Sequence, residues 1–263
     1  MFKFSLGLLV VLIIVVFTLP LIITTSAYTL NPQAILLSPS FEHIMGTDRL
    51  GRDLFTRILV GGQTSLIIGF LAATITSFIG LIIGISAGYF KGNTDKTITI
   101  LIDLFLTFPT FFLLLALVSY MEASISILII VLVVTGWMGM ARLIRSESFA
   151  ISNKPFIKIL NLAKVSKTKI ILKYFAPLLA PIFLVSFTFG VGGAILAESG
   201  LSFLGLGINP PQISWGSLLS DGKEVLEIAW WVSFFPGLCI FIVTFCLMQM
   251  ANKLQSKLNE KEF

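Results

Sequence analysis

Few residues in this 263-residue chain are of kinds that do chemistry, and their spacing limits what they can do. There is one histidine, His43, so no histidine cluster exists to hold a metal, and metal chemistry inside the chain is not expected. The two cysteines, Cys239 and Cys246, lie within one apolar run, which reads as core packing and supports neither a disulfide nor a metal site. The stretch from Gly46 to Gly51 imitates the glycine spacing of a phosphate-binding loop. That loop needs Lys followed by Ser or Thr, preceded by a strand, and Arg52-Asp53 meets neither requirement. The reading is a folded turn outside the membrane, in which Asp48 and Asp53 pair with Arg49, Arg52 or Arg57. No nucleophile–base pair, zinc motif or carboxylate pair occurs at catalytic spacing, so the chain is not read as an enzyme.

The elements that carry these residues are mostly oil. Hydrophobic residues make up 56%, charged residues 12%, and the mean hydropathy is +1.00. One soluble core cannot absorb that much apolar surface, so lipid must cover part of it. The net charge of +5 falls between apolar spans, with no continuous basic domain, which argues against nucleic acid as a partner.

Six spans are expected: Phe4–Thr24, Ile67–Tyr89, Ile98–Tyr120, Ser124–Ala141, Leu178–Ala197 and Ala229–Met250. The first exceeds the roughly 7–15 apolar residues of a signal peptide and reads as a retained anchor. The second carries Gly80, Gly84 and Gly88 at four-residue intervals, a stripe that lets helices approach closely in lipid. The third contains Pro109, expected as a kink, and Asp103, either a transport residue or the partner of Arg142 or Arg145. Only Met121–Ala123 separates the third span from the fourth. Gly190, Gly192 and Gly193 loosen the fifth span, with Glu198 just beyond. The stretch 201–216 is too interrupted to span, and it suits an interface or a protein-lined cavity. Trp230 and Trp231 open the sixth span at a membrane boundary. The fold class is therefore all-α: a polytopic membrane protein with six transmembrane helices. As one domain, 1–263, it divides into a first helix (1–25), an extracytoplasmic segment (26–65), a five-helix core (66–250) and a tail (251–263).

The segment 142–177 holds eight of the eighteen Lys and Arg residues. With both termini inside, the cytoplasm receives Lys3, Lys91, Lys96, these eight, Lys253, Lys257 and Lys261, against Arg49, Arg52, Arg57 and Lys223 outside, so 142–177 is a cytoplasmic loop. Within it, Asn153 as cap and Pro155 in the first turn predict a short helix. Its apolar residues Phe156, Ile159, Leu160, Leu162 and Ala163 recur at helical spacing. Such a helix either docks on a partner or lies on the inner leaflet.

Three stretches together resemble a known family, the permease subunits of ATP-binding-cassette importers of the dipeptide, oligopeptide and nickel class: GTDRLGRDLFTRILVGGQTSL, DLFLTFP, and AESGLSFLGLGINPPQISWG. The likeness covers about Met45 to Met250, and the third stretch is the most specific. It implies a type I importer permease fold in the bacterial inner membrane, paired with a second homologous permease. Two cytoplasmic ATPases would bind ATP and Mg, and an extracytoplasmic solute-binding protein would deliver substrate; this chain itself binds no cofactor. The loop would hold the coupling helix, with Lys154, Pro155, Phe156, Ile157, Lys158, Leu160, Ala163 and Lys164 as contact residues, docking through Phe156, Ile157, Leu160 and Ala163. Asp103, Pro109, Glu198, Gly80, Gly84 and Gly88 are candidates for the translocation path or for helix packing. The loop departs from the family: Tyr174 stands where its His-x-x-Pro ending has His, Lys164 where Gly is usual, and Lys158 where Glu is usual. The cargo is read as nickel, a metal chelate, or di- and oligopeptides, the compact start resembling the nickel branch. A self-sufficient secondary transporter is the alternative, although no internal repeat is visible.

Overall fold

The computed structural model of the chain describes residues 2–121 and 124–262. Its regular structure there is helical, with one isolated bridge between Thr47 and Asp53. Helix α1 (Phe2–Thr18) continues into a tight turn at Leu19–Leu21, α2 spans Leu54–Phe90, and α3 (Gly92–Leu106) is followed by α4 (Thr110–Ser119). Next come α5 (Ile125–Ser152) and the short α6 (Pro155–Leu162). A continuous rod then runs through α7 (Lys167–Ile170), a π turn (Ile171–Phe175) and α8 (Ala176–Phe203); α9 (Trp215–Lys223) and α10 (Trp231–Glu262) complete the chain. Five of these, counting the rod once, are long and apolar enough to cross a membrane, and α3 with α4 makes a sixth if the pair is one span.

The packing of α2 against α5 forms the spine, and the glycine stripe permits it. A Cβ at Gly80 would lie 2.6 Å from Met140 Cβ, and one at Gly84 would lie 2.7 Å from Ile144 Cβ and 2.8 Å from the Ala141 carbonyl oxygen. Around this spine, α10 packs on α8, and α1 buries Leu9 and Val16 in the cluster it shares with α2 and α10.

Several boundaries depart from the expected ones. Helix α2 begins at Leu54, well inside the segment read as turns up to residue 65, because Asp53 Oδ1 accepts the Thr56 amide at 2.9 Å and caps it. Its polar-looking start, Gly61 and Gly62, is a packing surface against Ser214 and Trp215. The third span is broken: α3 and α4 meet at 78° across Thr107–Pro109. Pro109 has no amide hydrogen and its ring disfavours helical backbone at the residue before it, so the helix ends ahead of the proline instead of bending through it. Helix α5 runs to Ser152, taking the first third of the basic segment, and Asn153 closes it instead of capping α6, whose N-cap is Lys154. The tail is a continuation of α10. Of the Met121–Ala123 connection, Glu122 and Ala123 lie outside the described residues.

Candidate functional site

At the basic end, α6 lies across the ends of α2, α5 and the α7–α8 rod. Ile157 is fully buried in a cluster with Ile151, Ile170, Phe175 and Leu179, and Leu160 packs on its edge. Two polar ties hold the flanks. The Tyr89 hydroxyl donates to Asn161 Oδ1 at 2.9 Å, and Lys91 Nζ donates to Asn153 Oδ1 at 2.7 Å while lying over the Phe149 ring. Phe156 contacts Tyr174, with ring centroids 6.0 Å apart. The outward side is also apolar: Ile159 is 63% exposed and Leu162 83%. Burial divides the expected docking set. Ile157 and Leu160 face the bed, while Phe156, Ile159, Leu162 and Ala163 face out, with Lys154, Pro155, Lys158 and Lys164 exposed around them. A helix apolar on both sides has a period but no label for which side is inside.

The end of α6 explains one departure from the family. The Val165 amide bonds the Leu160 carbonyl and the Lys164 amide bonds that of Asn161, both at 3.1 Å, a Schellman closure with Lys164 at φ +54°. Gly205 closes α8 in the same way at φ +81°. Left-handed backbone costs a residue with Cβ about 1 kcal/mol or more. Lys164→Gly is therefore expected to stabilise the protein by about 0.5–1 kcal/mol, seen as a raised thermal midpoint in detergent.

At the opposite end, Glu198 is fully buried and joins three elements. Its Oε1 accepts Ser202 Oγ at 2.7 Å, and its Oε2 accepts Ser65 Oγ of α2 at 3.2 Å and Ser199 Oγ at 3.4 Å. Ser65 Oγ in turn accepts the Trp215 amide of α9 at 3.1 Å, and the Trp215 indole donates to the Ile58 carbonyl at 2.9 Å. Beside this knot lies a mixed-charge cluster. Arg52 and Arg57 reach Asp48 at 2.6 and 3.2 Å and Asp221 at 3.8 and 3.4 Å, while Arg49 pairs with Asp221 and Glu224. Burial lifts the Asp221 carboxyl above the ordinary carboxylate range, against the pull of Arg57, Arg49 and Arg52. Asp53, expected among these pairs, instead bonds His43 Nδ1 at 3.0 Å and caps α2.

Asp103 is 2.5 Å from Arg142, both half exposed, and Arg145 takes Asp95. Pro109 is the exposed N-cap of α4. The glycine stripe touches α5 and Glu198 bonds Ser65, at two ends of α2. Sequence reading missed Ser65, Ser199 and Ser202 as partners of Glu198, Trp215 as the partner of Ser65, and Asp221 as the hub of the arginines. The one signal was the serine-rich run around Glu198; nothing local points from it to Ser65.

Residues 80–260 match the family described as binding-protein-dependent transport system inner membrane component. The chain is 35% identical over 227 residues to the oligopeptide transport system permease protein OppC of Haemophilus influenzae, covering 86% of this chain and 73% of that protein. It is 34% identical over 257 residues to the OppC of Mycobacterium bovis, covering 97% and 88%. It is 35% identical over 243 residues to the dipeptide transport system permease protein DppC of Alkalihalophilus pseudofirmus, covering 92% and 80%. Among solved structures, a chain of the inward-facing MetNI methionine ABC transporter superposes with a TM-score of 0.60 at 14% identity, covering 76% of this chain and 97% of that one, a likeness of fold.

Proposed function

This chain belongs to the inner-membrane permease subunits of binding-protein-dependent ABC importers, in the peptide and nickel class, and from that premise we propose that α6 is the element through which cytoplasmic ATPases drive it. The observation that carries this reading is the outward apolar face of Phe156, Ile159 and Leu162 on a helix whose other face is locked into the core. A buried anchor at Ile157, with the Tyr89–Asn161 and Lys91–Asn153 ties, makes α6 move with the ends of α2, α5 and α8 when an ATPase closes on it. The permease is non-catalytic, and ATP and Mg2+ belong to the ATPase subunits.

In this reading both termini and α6 are cytoplasmic, as the Lys and Arg distribution favours, and α9 with residues 26–57 faces the solute-binding protein. A second homologous permease completes the path, two ATPases sit beneath it, and short peptides are the cargo, as the names of the relatives suggest.

The test is Ile159→Asp with Leu162→Asp. Both sites are already exposed, so the fold should change by less than about 0.5 kcal/mol. Loss of a central apolar contact is worth about 2 kcal/mol or more at an interface, so the ATPases should no longer co-purify and ATP-driven uptake of peptides should fall more than about tenfold. Intact uptake would instead place α6 on the inner leaflet. Uptake that never needs ATP would favour a secondary transporter, and a nickel chelate taken up in place of peptides would change the cargo.

A further inference from the structure

We propose that a groove between α2, α4, α5 and α8 is the surface along which a short peptide passes, gripped by its main chain and not by its side-chain charges. The proposal rests on the importer reading above. The groove has a volume of about 390 Å3, within the range of small-molecule sites. None of the residues lining it carries a formal charge.

Two of its features have no explanation within the chain. The first is a set of idle hydroxyls. Ser77 is only 4% exposed, yet it lines the groove. Among the described residues, its hydroxyl and those of Thr76, Thr110 and Ser186 find no hydrogen-bond partner. Thr74 and Thr188, on the same helices α2 and α8, instead bond back to the carbonyls of Phe70 and Leu184 at 2.7 and 2.8 Å. A hydroxyl facing hydrocarbon gains from such a back-bond, because leaving it unpaired there is costly. Of the five groove hydroxyls only Thr135 takes it, donating to the Val131 carbonyl at 2.8 Å, and the other four forgo it.

The second feature is a pair of glycines that relieve no clash. A Cβ at Gly139 of α5 or Gly193 of α8 would meet nothing within 4 Å, whereas one at Gly84 would strike Ile144. Glycine is the poorest helix former after proline, so without a packing reason these two positions weaken their helices. What they preserve is width.

Every peptide residue except proline offers one amide donor and one carbonyl acceptor, and a hydroxyl answers either. Uncharged hydroxyls along a wide wall in which small residues outnumber large apolar ones therefore hold the main chain of a short peptide whatever its sequence. A metal cation would seek carboxylate, imidazole or thiolate ligands, and the lining supplies none of these.

The complete importer, with its second permease, ATPases and binding protein, is reconstituted in liposomes, and uptake of tri-alanine and tri-phenylalanine is compared with and without ATP. Gly139→Leu and Gly193→Leu are each expected to lower tri-phenylalanine uptake about tenfold relative to tri-alanine. Gly7→Leu on α1, where a Cβ also meets nothing, should leave both unchanged. Ser77→Ala combined with Ser186→Ala should lower both peptides alike by about tenfold, the worth of one or two hydrogen bonds. An unchanged ratio in the glycine variants, or unchanged uptake in the serine variant, overturns the proposal. Loss of the second permease on purifying the glycine variants would make the groove a subunit interface, and overturns it too. ATP-independent uptake by the unaltered complex, or uptake of neither peptide, overturns the peptide-importer reading itself and the proposal with it.

Discussion

Glu198→Leu is expected to cost about 3 kcal/mol or more of stability, and to loosen α9 and the 204–214 loop from the helices beneath them. The buried carboxyl accepts three serine hydroxyls from α2 and α8. Leucine keeps the bulk and removes every acceptor, so three hydroxyls are left in a dry site. Each buried bond left unmade costs about 1–3 kcal/mol, and the costs add only in part because the groups form one network. Ser65 also receives the Trp215 amide, so its displacement reaches α9 directly. The measurement is a thermal midpoint in detergent together with proteolysis of the 204–214 loop. Glu198→Gln keeps one carbonyl acceptor and should lose about half as much. A leucine variant as stable as the parent would show that the knot carries no load.

The second large effect is expected at Gly88. A Cβ there would lie 2.5 Å from Ser148 Cβ and 2.7 Å from both the Arg145 carbonyl oxygen and the Phe149 amide nitrogen. Two of these neighbours are backbone and cannot rotate away. Gly88→Val must therefore push α2 from α5, at about 1–3 kcal/mol for overpacking and more if the helices separate. The Ser152 hydroxyl, which donates to the Gly88 carbonyl at 3.2 Å, would lose its place as well. Tyr89 at the end of α2 and Lys91, which caps it, follow immediately, and they hold Asn161 of α6 and Asn153 just before it. Loss of ATPase co-purification should accompany the fall in thermal midpoint. Gly7→Val, facing open space, is the control and should change neither. A Gly88→Val protein that is as stable as the parent but still sheds its ATPases would separate positioning of α6 from packing of the spine.

These two sites differ in how far the sequence exposes them. Gly88 stands in a four-residue stripe, a local pattern that already implies close helix contact, although nothing in it names α5 as the partner. Glu198 shows only as an acid near the end of an apolar run. Its partner Ser65 is 133 residues away, and Asp221 lies 164 residues from Arg57. Such pairs arise when separate helices are brought together, and no periodicity within either helix encodes them.

By itself the sequence determined the class of the molecule, because the surface that lipid must cover follows from composition alone. It also determined where five of the six spans lie, though not where their helices end, together with the stripe, the existence of α6 and the family, since each is written in consecutive residues. Tertiary structure decided the rest. It turned Ile157 inward and Ile159 outward, extended α2 back to Leu54 through residues that looked like a loop, and broke the third span at Pro109. The physical reason is common to the first two, the break at Pro109 being a matter of proline's missing amide hydrogen. Small and polar residues in a membrane protein mark either solvent or close packing, and an apolar residue either lipid or core, so only the neighbour across the gap tells which.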